Sequence, residues 1–411
     1  MNSSYAEGIL QHKQRRLLHL KPKVLHIIDS FDSGGTERQA VQLVRLLHEG
    51  ERYRVFLACL NNRGVLRDEA ERFGLAEIAA YPLTSFYDRN FLKQLRRCVR
   101  FLKEHEIDVV HTHDFYTNIF GMTAARLAGV PARIASKRET DGFRSSLQKC
   151  AERGAFRLAH RIVANSDAVR RQLTREGMPI EKIVKHYNGL DVKRVAVQSG
   201  ATRDDILAML ALPERRFVTI VANLQHAVKD HPTFLRAAAR VRAAIPAVAF
   251  VIAGEGKLMS GLRELSAQLG LERDVFFIGR CEKVAELLSV SEVCALSSTA
   301  EGFSNSILEY MAAARPTVVT DVGGAREAVI EGETGYIVPP GDDQPMAERM
   351  IELLRDPKRA RAMGERGKSI VEEKFSCERH LQNTLELYDE LMVRPVSTAQ
   401  PDVALMPRER A

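Results

Sequence analysis

The segment Glu301-Gly302-Phe303-Ser304-Asn305-Ser306-Ile307-Leu308-Glu309 gathers the chain's most suggestive chemistry. Two carboxylates flank a glycine and a run of small polar residues. Carboxylates suit sugar and ribose diols, because each accepts two hydrogen bonds. Gly302 and Ser304 to Ser306 predict a tight turn into a helix start, whose free amides suit phosphate. A plainer reading stands beside this one: Ser306 and Glu309 match a capping box, S-x-x-E, and Glu301 is a loop acid. In Asp32-Ser33-Gly34-Gly35-Thr36-Glu37, paired glycines at a strand-to-helix turn let backbone amides approach an anion. The same residues also suit a simple tight turn capped by Thr36. They form neither G-x-G-x-x-G nor a Walker A loop, which weakens a dinucleotide or ATP reading.

Lys229, in Asn223-Leu224-Gln225-His226-Ala227-Val228-Lys229-Asp230-His231, follows a strand's carboxyl end. That position faces the cleft of an open α/β sheet, where a lysine neutralises a diphosphate. Otherwise it is a solvated lysine before a helix capped by Asp230. His111 and His113 share a side of their strand, but no third ligand has a recognisable position and no D-x-D motif occurs. No metal is therefore expected. His113 either faces an acceptor or is a core histidine at a strand end.

These residues need rigid elements to hold them. Apolar, β-branched runs predict twelve strands: Lys23–Ile28, Val55–Leu60, Ile107–His111, Ala132–Ser136, Arg161–Asn165 and Ile183–Tyr187, then Phe217–Asn223, Val248–Ala253, Val275–Gly279, Val293–Ser297, Pro316–Thr320 and Tyr336–Pro339. Their continuous hydrophobicity reads as parallel strands covered on both faces. Helical patterns between them imply doubly wound α/β sheets, too many strands for one. The expected division is an arm at 1–22, one Rossmann-like domain at 23–195, a second at 196–376, a helix at 377–392 that packs back on the first, and a loose tail at 393–411.

At about 150 residues per domain, 411 residues fit that division. The six cysteines form no CxxC pair, which argues against a zinc ribbon or disulfide frame and fits a reducing cytoplasm. No apolar run nears the roughly 18 residues that span a bilayer, and the first residues do not read as a secretory signal. The net charge is +7. Residues 1–23 hold Lys13, Arg15, Arg16, Lys21 and Lys23 against Glu7. Much of the excess therefore belongs to that arm, which disfavours a nucleic-acid face and predicts weak contact with anionic membrane.

The ordered blocks resemble the family-four retaining glycosyltransferases of GT-B fold. The blocks are Gly34-Gly35-Thr36-Glu37, Val163-Ala164-Asn165-Ser166, Tyr187-Asn188-Gly189-Leu190-Asp191, Lys229, Gly254-Glu255-Gly256, Glu301 to Glu309, and Gly335 to Asp342. The resemblance implies two Rossmann-like domains facing a central cleft. It implies a nucleoside-diphosphate sugar as donor, with UDP favoured over GDP, no cofactor, and a glycan or lipid-linked acceptor. It implies work in the cytoplasm, peripheral to the inner membrane face. Gly35, after Gly34, would present its backbone to the diphosphate and Lys229 would pair with it. Glu301 would bind donor-sugar hydroxyls and Glu309 the ribose. Amides of Phe303, Ser304, Asn305 and Ser306 would meet sugar and phosphate, and Gly279-Arg280 would lie by the base. Two departures stand out. Asn223 replaces an arginine expected of the clamp, leaving Arg280 or another cation to assist. Arg138 stands where relatives carry a histidine. The competing readings are a nucleotide-sugar epimerase or glycoside phosphorylase on the same fold, and a basic protein binding membrane or nucleic acid.

Overall fold

The computed structural model describes residues 21–75, 78–140, 144–195, 197 and 200–393. The predicted arm, apart from Lys21 and Pro22, and the tail from 394 lie outside the described residues.

Thirteen parallel strands form two sheets among the described residues. The first runs in the order β3-β2-β1-β4-β5-β6-β7. Its strands are β1 (Lys23–Ile28), β2 (Arg54–Cys59), β3 (Ile78–Ala80), β4 (Val109–Thr112), β5 (Ala132–Lys137), β6 (Arg161–Ala164) and β7 (Ile183–Lys185). The second runs β10-β9-β8-β11-β12-β13. It holds β8 (Arg216–Val221), β9 (Val248–Ala253), β10 (Val275–Gly279), β11 (Ser291–Leu296), β12 (Thr317–Thr320) and β13 (Gly335–Val338). The order reverses beside β1 in one sheet and β8 in the other. In open α/β sheets such a switch point, at the carboxyl edge, opens a crevice for ligands. The Gly34-Gly35 turn and Lys229 both follow those central strands.

Three features refine the sequence expectation. β3 is a thirteenth strand, too short at 3 residues to give a periodic signal. Around the expected boundary the chain serves both domains: Leu190 and Val195 pack in the second domain's core, while Asp191 pairs with Arg45 of the first at 3.0 Å. The helix Asn305–Ala312 begins after Ser304, two residues before Ser306. The hydroxyl of Ser306 donates to Val221 O at 2.8 Å instead of capping, so the S-x-x-E match is not a capping box.

The last helix, Cys377–Val393, crosses back to the first sheet. Leu387 and Tyr388 are buried with Val24, Val109 and Ile134. Tyr388 also ties a histidine stack together. The β1–β4 register pairs His26 with His111. The three rings of His26, His111 and His113 lie with centroids 4.5–5.3 Å apart. His26 Nδ1 meets His113 Nε2 at 2.8 Å. His111 bonds Tyr388 Oη at 2.8 Å and Ser136 Oγ at 2.9 Å.

Burial holds this stack neutral. It pushes His26 down to about 3, and His111 and His113 well below the ordinary imidazole range. His186 and His380 are likewise held down, to about 4 and about 3. Groups whose folded pKa is depressed stabilise the fold above their unfolded pKa, near 6.5 for histidine, and that stability is lost as pH falls toward the folded values. Asp114, pushed up to about 7 by burial, works the other way over the same range, as do Asp29 and Glu37, whose pKa values burial also raises. The histidines outnumber them. The urea midpoint is therefore expected to be lower at pH 5 than at pH 7. A midpoint that is flat or rises on acidification would contradict the neutral stack.

Candidate functional site

A cavity of about 1030 Å³ lies between the carboxyl edges of the two sheets. The first domain lines it with Gly34, Gly35, Arg138 and Asn188, and the second with Asn223, Lys229, Arg280, Glu301 and Glu309. The helix Gly35–Glu49 starts at the wall, with Gly34 as its N-cap and no side-chain cap bond. Gly34, Gly35 and Thr36 at its start line the cavity, where the helix dipole adds positive potential. Thr36 is inside the helix and is not the cap. The carboxylate of Glu37 folds over Gly34, where a Cβ would lie 2.1 Å from Glu37 Oε2. A side chain at 34 would have to displace that carboxylate.

Across the cavity, Lys229 ends a short 3-10 turn, Ala227–Lys229. Asp230 follows at φ 43° and caps the next helix by accepting from Thr233 N. The turn is pinned to the strand-end loop: Ser297 Oγ donates to Lys229 O at 2.8 Å, and Thr299 N to Val228 O at 2.8 Å. Lys229 Nζ sits 2.5 Å from Glu301 Oε1, which also accepts from Ser298 Oγ at 2.7 Å. The two residues assigned to diphosphate and sugar are therefore adjacent, each holding the other in place. Glu309 is the fifth residue of the helix Asn305–Ala312, half-buried on the cavity wall.

Gly302 sits where the domains meet. A Cβ there would lie 2.0 Å from Arg138 O, so only glycine permits the approach. A polar seam continues from it. Thr140 Oγ1 donates to Glu301 O at 2.7 Å. Asn188 Nδ2 donates to Phe303 O at 2.9 Å and to Asn305 Oδ1 at 2.8 Å. Asn305 Nδ2 in turn donates to Gly35 O at 3.2 Å, joining the two loops predicted to hold the donor. Gln39 Nε2 supports both sides, at 2.8 Å from Gly189 O and 3.3 Å from Asn305 Oδ1. Farther out, Glu327 accepts from the amides of Asp167 and Ala168, capping a helix of the other domain. Asn188 belongs to a block with sequence resemblance. Gln39, Thr140 and Glu327 gave no signal, since their partners lie more than 100 residues away.

Arg138 closes the floor of the cavity. Its Nη1 donates to Asn188 Oδ1 at 2.7 Å, and its buried Nε has no partner. Burial lowers its pKa to about 10, so it stays charged at neutral pH. No carboxylate pairs with it among the described residues. A buried cation without a counter-charge is costly, and an anion in the cavity would relieve it.

Other predicted site residues are placed differently. His113 is fully buried in the stack behind β4 and does not line the cavity. Nor does the three-histidine group, although its nitrogens lie within 4.8 Å of one another. His26, the third member, is brought in by strand register and not by sequence spacing. Five of the group's six ring nitrogens are engaged with each other, Tyr388 or Ser136, leaving His113 Nδ1 without a partner. Gly279 turns the chain at φ 68° behind the wall, while Arg280 reaches it. Asn223 is exposed at the rim and its Oδ1 accepts from Gln225 N. Phe303 packs its ring against Tyr187 and Phe375, so only its backbone serves the cavity.

Residues 33–194 match the family described as Glycosyltransferase Family 4, and residues 203–370 match glycosyl transferases group 1. Over 395 residues the chain is 25% identical to the UDP-Gal:alpha-D-GlcNAc-diphosphoundecaprenol alpha-1,3-galactosyltransferase of Escherichia coli, covering 91% of this chain and 98% of that protein. It is 29% identical over 304 residues to the alpha-maltose-1-phosphate synthase of Mycolicibacterium smegmatis, with 68% and 78% covered. The structure of Anabaena HepE in complex with UDP and glucose superposes with a TM-score of 0.79 at 21% identity, covering 90% of this chain and 100% of that one.

Proposed function

The chain belongs to the family 4 glycosyltransferases, with their group 1 domain in its C-terminal half, and on that premise we propose that it takes a sugar from a UDP-sugar and passes it, with retention, to a hydroxyl of a lipid-linked or surface-polysaccharide intermediate. The observation that carries this reading is the charge layout of the interdomain cavity. A helix N-terminus and the unpaired Arg138 enter from one domain, and Lys229 enters from the other. That is a cradle for a diphosphate, flanked by Glu301 and Glu309 for the two sets of hydroxyls. UDP is favoured over GDP by the relatives whose names carry it.

In this reading the diphosphate inserts beside Lys229, which exchanges part of its bond to Glu301 for phosphate oxygens. Glu301 is then free to accept from the donor sugar. Glu309, on the neighbouring helix, accepts from the ribose. Catalysis comes from orienting donor and acceptor and from stabilising charge on the departing diphosphate. Arg138 supplies the fixed charge that Asn223 lacks, and His113 takes no direct part. Among the described residues no helix is long and apolar enough to cross a membrane. The enzyme is proposed to work in the cytoplasm, at the inner membrane face.

A thermal-shift series tests the donor assignment. UDP is expected to raise the melting temperature more than GDP or ADP, and Arg138→Gln to weaken UDP binding about 10-fold or more, the scale of a lost charge-assisted bond. Equal shifts by all three nucleotides would overturn the base preference. Unchanged UDP affinity in Arg138→Gln would remove it from the cradle.

A further inference from the structure

The near-balance of charge outside the arm hides a segregation that only the fold reveals. Three consecutive helices, Arg89–Glu104, Phe115–Ala128 and Ser146–Leu158, cover one face of the first sheet. Their inner sides share one core, with Leu95, Phe120 and Phe156 among its buried residues. The outer side of the first helix exposes Arg89, Lys93, Arg96, Arg97, Arg100 and Lys103, against Glu104 alone. None of these six cations is in an ion pair among the described residues. The next two helices add Arg126, Lys149, Arg153 and Arg157. Their only acid, Glu152, is buried against Lys137 and Arg144. Solvated helices ordinarily mix both signs, so a face of one sign calls for an anionic partner.

Apolar side chains stand at the cavity end of the same face. Tyr87 is 82% exposed, Leu92 50%, Tyr116 43% and Leu147 66%. Leu92, Tyr116 and Leu147 sit in the first turns of the three helices, and Tyr87 lies in the loop just before the first. Phe86 stacks on Tyr116 at 5.5 Å, and Tyr116 also lines the cavity. Cations that track a charged surface, with exposed aromatic and aliphatic tips between them, match a bilayer interface with anionic headgroups.

We propose that this three-helix face docks on an anionic lipid surface and sets the cavity mouth at the headgroup layer. The proposal rests on the lipid-linked acceptor reading, because the apolar tips lead from the bilayer to the cavity. It makes the folded domain, and not residues 1–22, the main membrane contact.

Vesicle co-sedimentation tests it with three full-length or nearly full-length proteins: the complete chain, a deletion of residues 1–22, and the triple variant Lys93→Gln, Arg96→Gln, Arg100→Gln. Vesicles of phosphatidylcholine alone are compared with vesicles containing phosphatidylglycerol. The complete chain should bind the anionic vesicles, release them in high salt, and ignore the neutral ones. The triple variant should lose at least 10-fold in partition while keeping wild-type melting temperature and UDP affinity. The deletion should keep most binding. Equal partition of the triple variant and the complete chain would overturn the proposal. So would absence of binding by the complete chain, or a preference for a random oligonucleotide over the vesicles. UDP affinity, measured alongside, fails separately if the donor reading is wrong.

Discussion

Lys229→Ala is expected to lose about 10²–10³ in turnover while remaining folded, the usual cost of deleting a preorganised group that stabilises developing charge. The backbone of the Ala227–Lys229 turn is held by Ser297 and Thr299 and not by the lysine side chain. Glu301 keeps its bond from Ser298. The loss to stability should therefore stay near that of a partly exposed ion pair, about 1 kcal/mol or less. Lys229→Arg should recover part of the activity, since charge survives and geometry changes. Turnover and melting temperature of both variants decide the matter. Near-normal turnover in Lys229→Ala would remove the residue from the diphosphate site. A collapse of the melting temperature would make its role structural.

Glu309→Gln should weaken UDP binding by about 1–2 kcal/mol, roughly 5- to 30-fold, because glutamine keeps one acceptor and loses the charge-assisted pair. Glu309 is not part of a capping box, and glutamine is as good a helix former as glutamate, so the substitution should leave the helix intact. Glu301→Gln should behave in the opposite way toward the nucleotide. It releases Lys229 from its 2.5 Å partner, leaving the ammonium free for phosphate. UDP affinity should hold or rise while sugar transfer falls. Calorimetric UDP titration and turnover measured on the same two proteins separate these effects. Unchanged UDP affinity in Glu309→Gln, or unchanged turnover in Glu301→Gln, would break the assignment at that residue.

Much of the architecture was legible because parallel strands buried on both faces are continuous apolar runs. Val248–Ala253 and Val275–Gly279 were bounded to the residue. β3 escaped because three residues cannot display a period. Of the two readings of Ser306, the capping box fails, and a local pattern could not decide it, because Val221, a residue of β8, takes the hydroxyl. The cavity residues that lie in sequence blocks, from Gly34 to Glu309, were nameable in advance. Their mutual arrangement was not. The bond between Lys229 and Glu301 spans 72 positions, and that between Asn188 and Asn305 spans 117. His113 showed the converse error. Strand alternation gave it a side but not a partner, and the β1–β4 register turned that side into a buried stack with His26. Charge summed along the sequence likewise missed the three-helix face, because acids elsewhere on the surface cancel its cations in a tally.

The most direct test of the central claim is the fate of the anomeric centre. The purified chain should be incubated with α-linked UDP-sugars and a lipid-linked glycan acceptor, and the product linkage read by proton NMR. The account predicts UDP release coupled to an α-linked product, abolished together by Lys229→Ala. A β-linked product, or sugar transfer that proceeds without UDP release, would contradict it.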